Sequence, residues 1–286
     1  MRSDWLLVTF GAGLPNWRAA AKRLGRQASE SGAFAQTLVY TERELASEYP
    51  DFARQHREVL SARVRGFGYW IWKPYLLWKT LEFASRSGLS GVAYLDAGCE
   101  LNLTSEAARL RLLNYQQMAL RDGVFAMHLA GYPEREWTRL AVMDHFGLSI
   151  ADRDAPQVQG TPMLPASTDG IALARTWFES CVQDDYFLAR DAKKDEVQEP
   201  DFRDHRHDQS LFSCLVKTQG IETIPDETFW APDWANSGRD YPLWAARNRT
   251  RVSILDSSPR GQAIRFGERL YSRAYRELSA VRRSRR

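Results

Sequence analysis

The sequence predicts an α/β fold in which a Rossmann-type mixed sheet is flanked by helices. Two patterns predict it. Short apolar, strand-like runs alternate with helix-like segments, and two of those runs close on a glycine turn or an acid. The composition agrees: 44% hydrophobic and 26% charged over 286 residues is globular and supports a sizeable core.

The elements follow in order. Residues 5–10 form an apolar run ended by Gly11-Ala12-Gly13, the pattern of a buried strand. Pro15 suits the first position of a helix over residues 17–29. A second strand is expected at 37–40, with helical segments at 42–48 and 52–62. Gly66 and Gly68 bracket an aromatic loop, and Pro74 opens a helix that runs to residue 86. Residues 91–95 read as a third strand ending in Asp96, and 124–127 as a fourth. Residues 191–204 are polar and charged without period, a surface loop, and 225–242 an irregular cap. In open α/β sheets ligands gather at the carboxyl ends of strands, where Gly11 and Asp96 stand.

The chain divides into one catalytic-size domain, 1–255, and a basic tail, 256–286. Residues 260–286 hold nine arginines, no lysine and two acids, while the whole chain carries only +3. Apolar residues recur there at roughly helical spacing between the arginines, which predicts a C-terminal amphipathic helix. Such a helix suits an anionic membrane surface; its bland alternative is a helix docked on the body with its charged face solvated. A nucleic-acid partner is not expected. No run reaches the ~18–20 apolar residues of a membrane span, and the short apolar stretch after Met1 is no signal-peptide core. The expected location is cytoplasmic, peripheral at the inner face of the cell membrane. Cys99, Cys181 and Cys214 are far apart and form no CxxC, which predicts buried thiols rather than disulfides or a zinc site.

Four stretches could carry chemistry. In Leu95-Asp96-Ala97-Gly98-Cys99-Glu100, an acid ends a hydrophobic strand, a costly position unless the acid is paired or ligates a cation. Asp96 could hold Mg²⁺ or Mn²⁺ on a diphosphate, and Gly98 lets a phosphate or backbone approach; the alternative is an Asp that caps the next turn. In Arg206-His207-Asp208-Gln209-Ser210, Asp208 could be a helix N-cap or a general base, and His207 a metal ligand with His205 competing. Arg65, Gly68, Tyr69, Trp72 and Lys73 combine glycines, stacking rings and cations that suit a nucleotide, or else an aromatic core under a loop. Glu136, Trp137 and Asp144 could contact an acceptor or sugar, or lie on a solvated helix. Asp169, followed by Gly170, offers another carboxylate for sugar hydroxyls or for base catalysis.

The order of these motifs (Arg65 to Tyr75 with its GYWIWKP core, then Tyr94 to Glu100, then Glu136-Trp137-Thr138, then His207-Asp208-Gln209-Ser210) resembles bacterial GT-A-type glycosyltransferases of polysaccharide and O-antigen synthesis, over residues 4–250. The resemblance implies a GT-A-like nucleotide-binding fold, a nucleotide-sugar donor such as a UDP-sugar, and a divalent metal, Mn²⁺ or Mg²⁺. It implies a glycan or lipid-linked glycan as acceptor. Thr9, Phe10 and Gly11 match the first strand-end turn, which touches the nucleoside. Asp96 matches the first acid of the family's Asp-x-Asp motif, but Gly98 replaces the second, so that either Glu100 substitutes for it or Asp96 binds ribose or metal alone. His207 matches the histidine that completes the metal shell, and Asp208 a late acid that serves as base in inverting enzymes. Two other classes compete: a glycoside hydrolase with paired carboxylates, and a non-catalytic carbohydrate-binding protein.

Overall fold

A computed structural model describes residues 4–268 and 270. Its centre is a parallel sheet of three strands in the order β2-β1-β3, with β1 Trp5–Phe10, β2 Gln36–Tyr40 and β3 Gly91–Tyr94. Every residue of β1 and β3 is buried, as parallel strands covered on both faces require. Alternation assigns the two faces. Leu6, Val8 and Phe10 join Val92 and Tyr94 in one core, while Trp5 and Leu7 join Ala93 and Leu95 in the other. Leu76, Leu77 and Leu81 of helix Trp72–Arg86, Trp177 of helix Gly170–Tyr186, and Leu211 and Phe212 of helix Asp208–Thr218 cover the first face. Leu24 and Ala28 of α1 (Pro15–Ser31) and Leu112, Tyr115 and Ala119 of helix Glu106–Asp122 cover the second.

The mixed sheet is more fragmented than the sequence suggests. The expected fourth strand breaks at Ala126: Val124–Phe125 pairs with Leu164–Pro165, whereas Met127–Pro133 pairs with Pro156–Val158 and Ile224–Pro225. The helix expected at 52–62 is Pro50–Gln55, because Pro50 sets its start and the chain then turns on the His56 carbonyl, which accepts from Val59 and Leu60. The charged loop 191–204 is pinned rather than free, through Asp191 and Asp204 to Arg65, Glu196 to Arg139, and Arg203 to Glu136.

All three cysteines are buried and unbridged, as expected. Burial pushes the Cys99 thiol up to about 12, which keeps it unreactive. Residues 259–268 are helical, and most of the stretch expected to form the amphipathic tail lies outside the described residues. Among the described residues no helix is long and apolar enough to cross a membrane.

Candidate active site

β3 delivers Asp96 to the carboxyl end of the sheet, and two helix beginnings meet it there. Lys73 stands in the first turn of Trp72–Arg86, and Asp208 is the first residue of Asp208–Thr218. The Lys73 ammonium lies 2.7 Å from Asp208 Oδ2 and 3.5 Å from Asp96 Oδ1. It also donates to the Gly160 carbonyl at 3.3 Å. The Asp208 contact is an ion pair, strong because little water screens it. Tyr94 donates to Asp96 Oδ1 at 2.6 Å, and the Asp96 backbone N–H donates to Thr161 Oγ1 at 3.0 Å. The start of the second helix is anchored by Trp177, whose indole N–H donates to the Asp208 carbonyl at 2.9 Å.

Burial separates the roles. The Lys73 and Asp208 side chains are each 4% exposed, whereas that of Asp96 is 38% exposed. Asp96 is therefore the carboxylate that can meet a ligand, and Asp208 is enclosed against Lys73. Burial raises the Asp208 carboxyl to about 6, with Lys73 pulling it back down. Burial opposes the Lys73 ammonium too, but Asp208 and Asp96 outweigh it and hold the amine above its ordinary value. The expected N-cap role of Asp208 is not seen. The cap position is His207, and no side chain caps that helix.

His207 is held in the left-handed region at φ 50°, as are Phe67, Tyr69 and Trp70 in the facing loop. Non-glycine residues rarely persist there unless the surroundings over-determine them. The His207 ring lies 5.6 Å from Tyr69 and 5.3 Å from Trp70, and its Nδ1 donates to the Ala189 carbonyl at 2.7 Å. That bond leaves the lone pair on Nε2, which is buried without a hydrogen-bond partner, 3.5 Å from Asp191. Burial also lowers the basicity of the ring, keeping it neutral. His205, the competing ligand, is buried and engaged by the Leu188 carbonyl and the Arg139 N–H.

A divalent metal does not fit this donor set. Among the described residues no three His, Cys, Asp or Glu side chains converge on one point. Asp96 Oδ1 already faces an ammonium, and Glu100 is fully buried on Arg23 and Asn248.

Several other residues expected at the site lie elsewhere or are engaged by other groups. Thr9 is fully buried, and Phe10 is stacked on Trp72 at 4.0 Å, so both belong to the core rather than to a nucleoside surface. Trp72 is tied down through its indole N–H to the Gly66 carbonyl. Gly11 is needed for packing, since a Cβ there would sit 2.3 Å from the Trp17 carbonyl oxygen. Gly68, at φ 97°, shapes the left-handed loop against Val59 and Leu60. The Arg65 charge is spent on Asp191 and Asp204. Glu136 is paired with Arg203, and Asp144 with Arg153. Asp169 is exposed near Ser167, whose N–H bonds Ser90 at the start of β3, the end opposite Asp96. Asp169 is therefore no base for this site.

Tyr69, Trp137 and Gly98 keep places around it. Trp137 lies under the Arg206 guanidinium at 4.0 Å, and Gly98 packs against the backbone of Arg247. Sequence reasoning missed Tyr94, Gly160, Thr161, Trp177 and Arg247. Tyr94 had a usable signal, a hydroxyl two residues before the strand-end acid and on the same side of the strand.

The geometry also disfavours paired-carboxylate hydrolysis. That chemistry sets two accessible carboxyl groups about 5–9.5 Å apart around a sugar, whereas here an ammonium fills the space between Asp96 and a buried Asp208.

No family model matches the chain, and no curated protein matches it. A solved structure to which it is similar is the crystal structure of mouse Xyloside xylosyltransferase 1, apo form, 12% identical. The match covers 87% of this chain and 99% of that one, with a TM-score of 0.44.

Proposed function

We propose that the protein is a glycosyltransferase that moves a sugar from a nucleoside-diphosphate donor, a UDP-sugar being the first to test, to a hydroxyl of a glycan or lipid-linked glycan. The observation that carries this reading is the half-exposed Asp96 carboxylate, held by buried Lys73 and Asp208 at the carboxyl end of a parallel sheet. Ligands of open α/β sheets bind at that end. The motif order from Arg65 to Ser210 supports the same reading, and it supplies the donor and acceptor classes.

In the reaction, an acceptor oxygen forms a bond to the anomeric carbon while the bond from that carbon to the diphosphate oxygen breaks. The nucleoside diphosphate leaves with the electron pair. Asp96 Oδ2, which has no partner among the described residues, takes the proton of the attacking hydroxyl. Lys73 and Tyr94 hold the carboxylate in place. A positioned base of this kind contributes about 10²–10⁴-fold. The basic segment 260–286 would hold the enzyme at an anionic membrane surface on the cytoplasmic side.

The test is turnover of a panel of UDP-, GDP- and dTDP-sugars, read as released nucleoside diphosphate, with Asp96→Asn as control. One donor consumed by the wild type and spared by the variant supports the reading. Equal turnover by both proteins, or none by either, contradicts it.

A further inference from the structure

We propose that the guanidinium groups of Arg206 and Arg247 hold the diphosphate of the donor, and that this binding needs no divalent metal. The proposal rests on the nucleotide-sugar reading above.

The backbones of both arginines adjoin the chain segments that carry Asp96 and Asp208. Arg206 stands two residues before Asp208. Arg247 lies on the strand-end turn: a Cβ at Gly98 would sit 3.0 Å from its Cα, and the Asn248 N–H donates to the Gly98 carbonyl at 2.8 Å. Each guanidinium is oriented by aromatic rings. Arg206 lies 4.0 Å from the Trp137 ring and 5.0 Å from Tyr132, and Arg247 lies 5.2 Å from Trp230.

Among the described residues neither makes an ion pair, whereas Arg65, Arg139 and Arg153 nearby are all neutralised by acids. Burial holds the Arg206 guanidinium below its ordinary value, and the charge of Arg247 adds to that while Tyr132, Asp204 and Glu134 oppose it. Keeping like charges together costs free energy that an intervening anion would recover.

Arg247 also sits at φ 51°, a conformation unfavourable for a non-glycine residue, as at functional sites where geometry is imposed. Two planar forks with stacking support suit the oxygens of a diphosphate. Gly98, with no side chain, lets the Arg247 backbone approach this closely. The positive charge that stabilises the leaving group is then supplied by the chain itself.

The experiment is calorimetric titration of the full chain with UDP, GDP and dTDP, once in EDTA and once in Mg²⁺ or Mn²⁺. The tightest nucleotide is expected to bind in EDTA within about twofold of its affinity with metal. Arg247→Gly keeps the left-handed backbone without strain and removes the guanidinium, and Arg206→Lys keeps charge but loses the fork. Each is expected to weaken that nucleotide by about tenfold or more. The bare nucleoside should lose nothing in either variant. Binding that appears only with metal, or variants that bind like the wild type, overturns the proposal and leaves the glycosyltransferase reading standing. No binding in any buffer overturns both.

Discussion

The Lys73 ammonium and the Asp208 carboxylate meet 2.7 Å apart, with only 4% of either side chain exposed. An ion pair this deep is weak evidence for stability, because desolvating both charges offsets most of their attraction. Its place beside a half-exposed Asp96 points to function instead.

The first prediction concerns pH. The Asp208 carboxyl titrates at about 6 in the folded protein and near 3.9 when unfolded. The folded state therefore binds this proton more tightly. The stability it contributes is complete below about pH 4, falls as pH rises through 6, and is flat above. Asp208→Asn removes that slope. Urea unfolding should show the variant's stability falling less than that of wild type between pH 4 and pH 7.5. Its activity should still fall, because Lys73 loses a partner.

Lys73→Met should destabilise the fold at neutral pH. It leaves Asp208 buried without a counter-charge, a loss of about 3–5 kcal/mol. Lowering the pH should restore part of that as Asp208 takes up a proton. Combining Lys73→Met with Asp208→Leu should recover most of the stability at pH 7.5 without recovering activity. Melting temperatures across pH, set beside turnover, check both statements.

Asp96→Asn tests the exposed carboxylate. Because its side chain is 38% exposed, the folded state should tolerate the change, with stability within about 0.5 kcal/mol of wild type. Turnover of the accepted donor should drop at least about 100-fold. Asp169→Asn, at the opposite end of β3, should leave turnover unchanged.

Arg65→Ala separates a structural arginine from a ligand-binding one. Its pairs with Asp191 and Asp204 are partly exposed, worth about 1 kcal/mol or less. Limited proteolysis should cut faster within residues 191–204, while nucleotide affinity stays unchanged.

Asp96 was legible in the sequence because a carboxylate at the end of an apolar run has few inexpensive explanations. Lys73 and Asp208 were visible as candidates, but their mutual pairing was not. Nothing local brings residue 73 beside residue 208; the packing of two helix starts on one sheet edge does that. Thr9, Phe10 and Trp72 misled for the same reason, since a strand-end turn and an aromatic loop stack on each other and bury the rings meant for a nucleoside. Arg247 carried no signal at all, because being a cation without an acid is a property of the tertiary structure. Glu134 is a similar case: nothing local marks it, yet it is fully buried and satisfied by Thr138, Gln157, Ser213 and Lys217.

The most direct measurement is a crystal structure of the chain with the nucleoside diphosphate it binds. The account predicts the diphosphate beside Arg206 and Arg247, with Asp96 facing the sugar side. Nucleotide seated instead in the surface cavity of about 430 Å³ lined by Leu140, Phe187 and Lys193, with Asp96 facing only water, would contradict it.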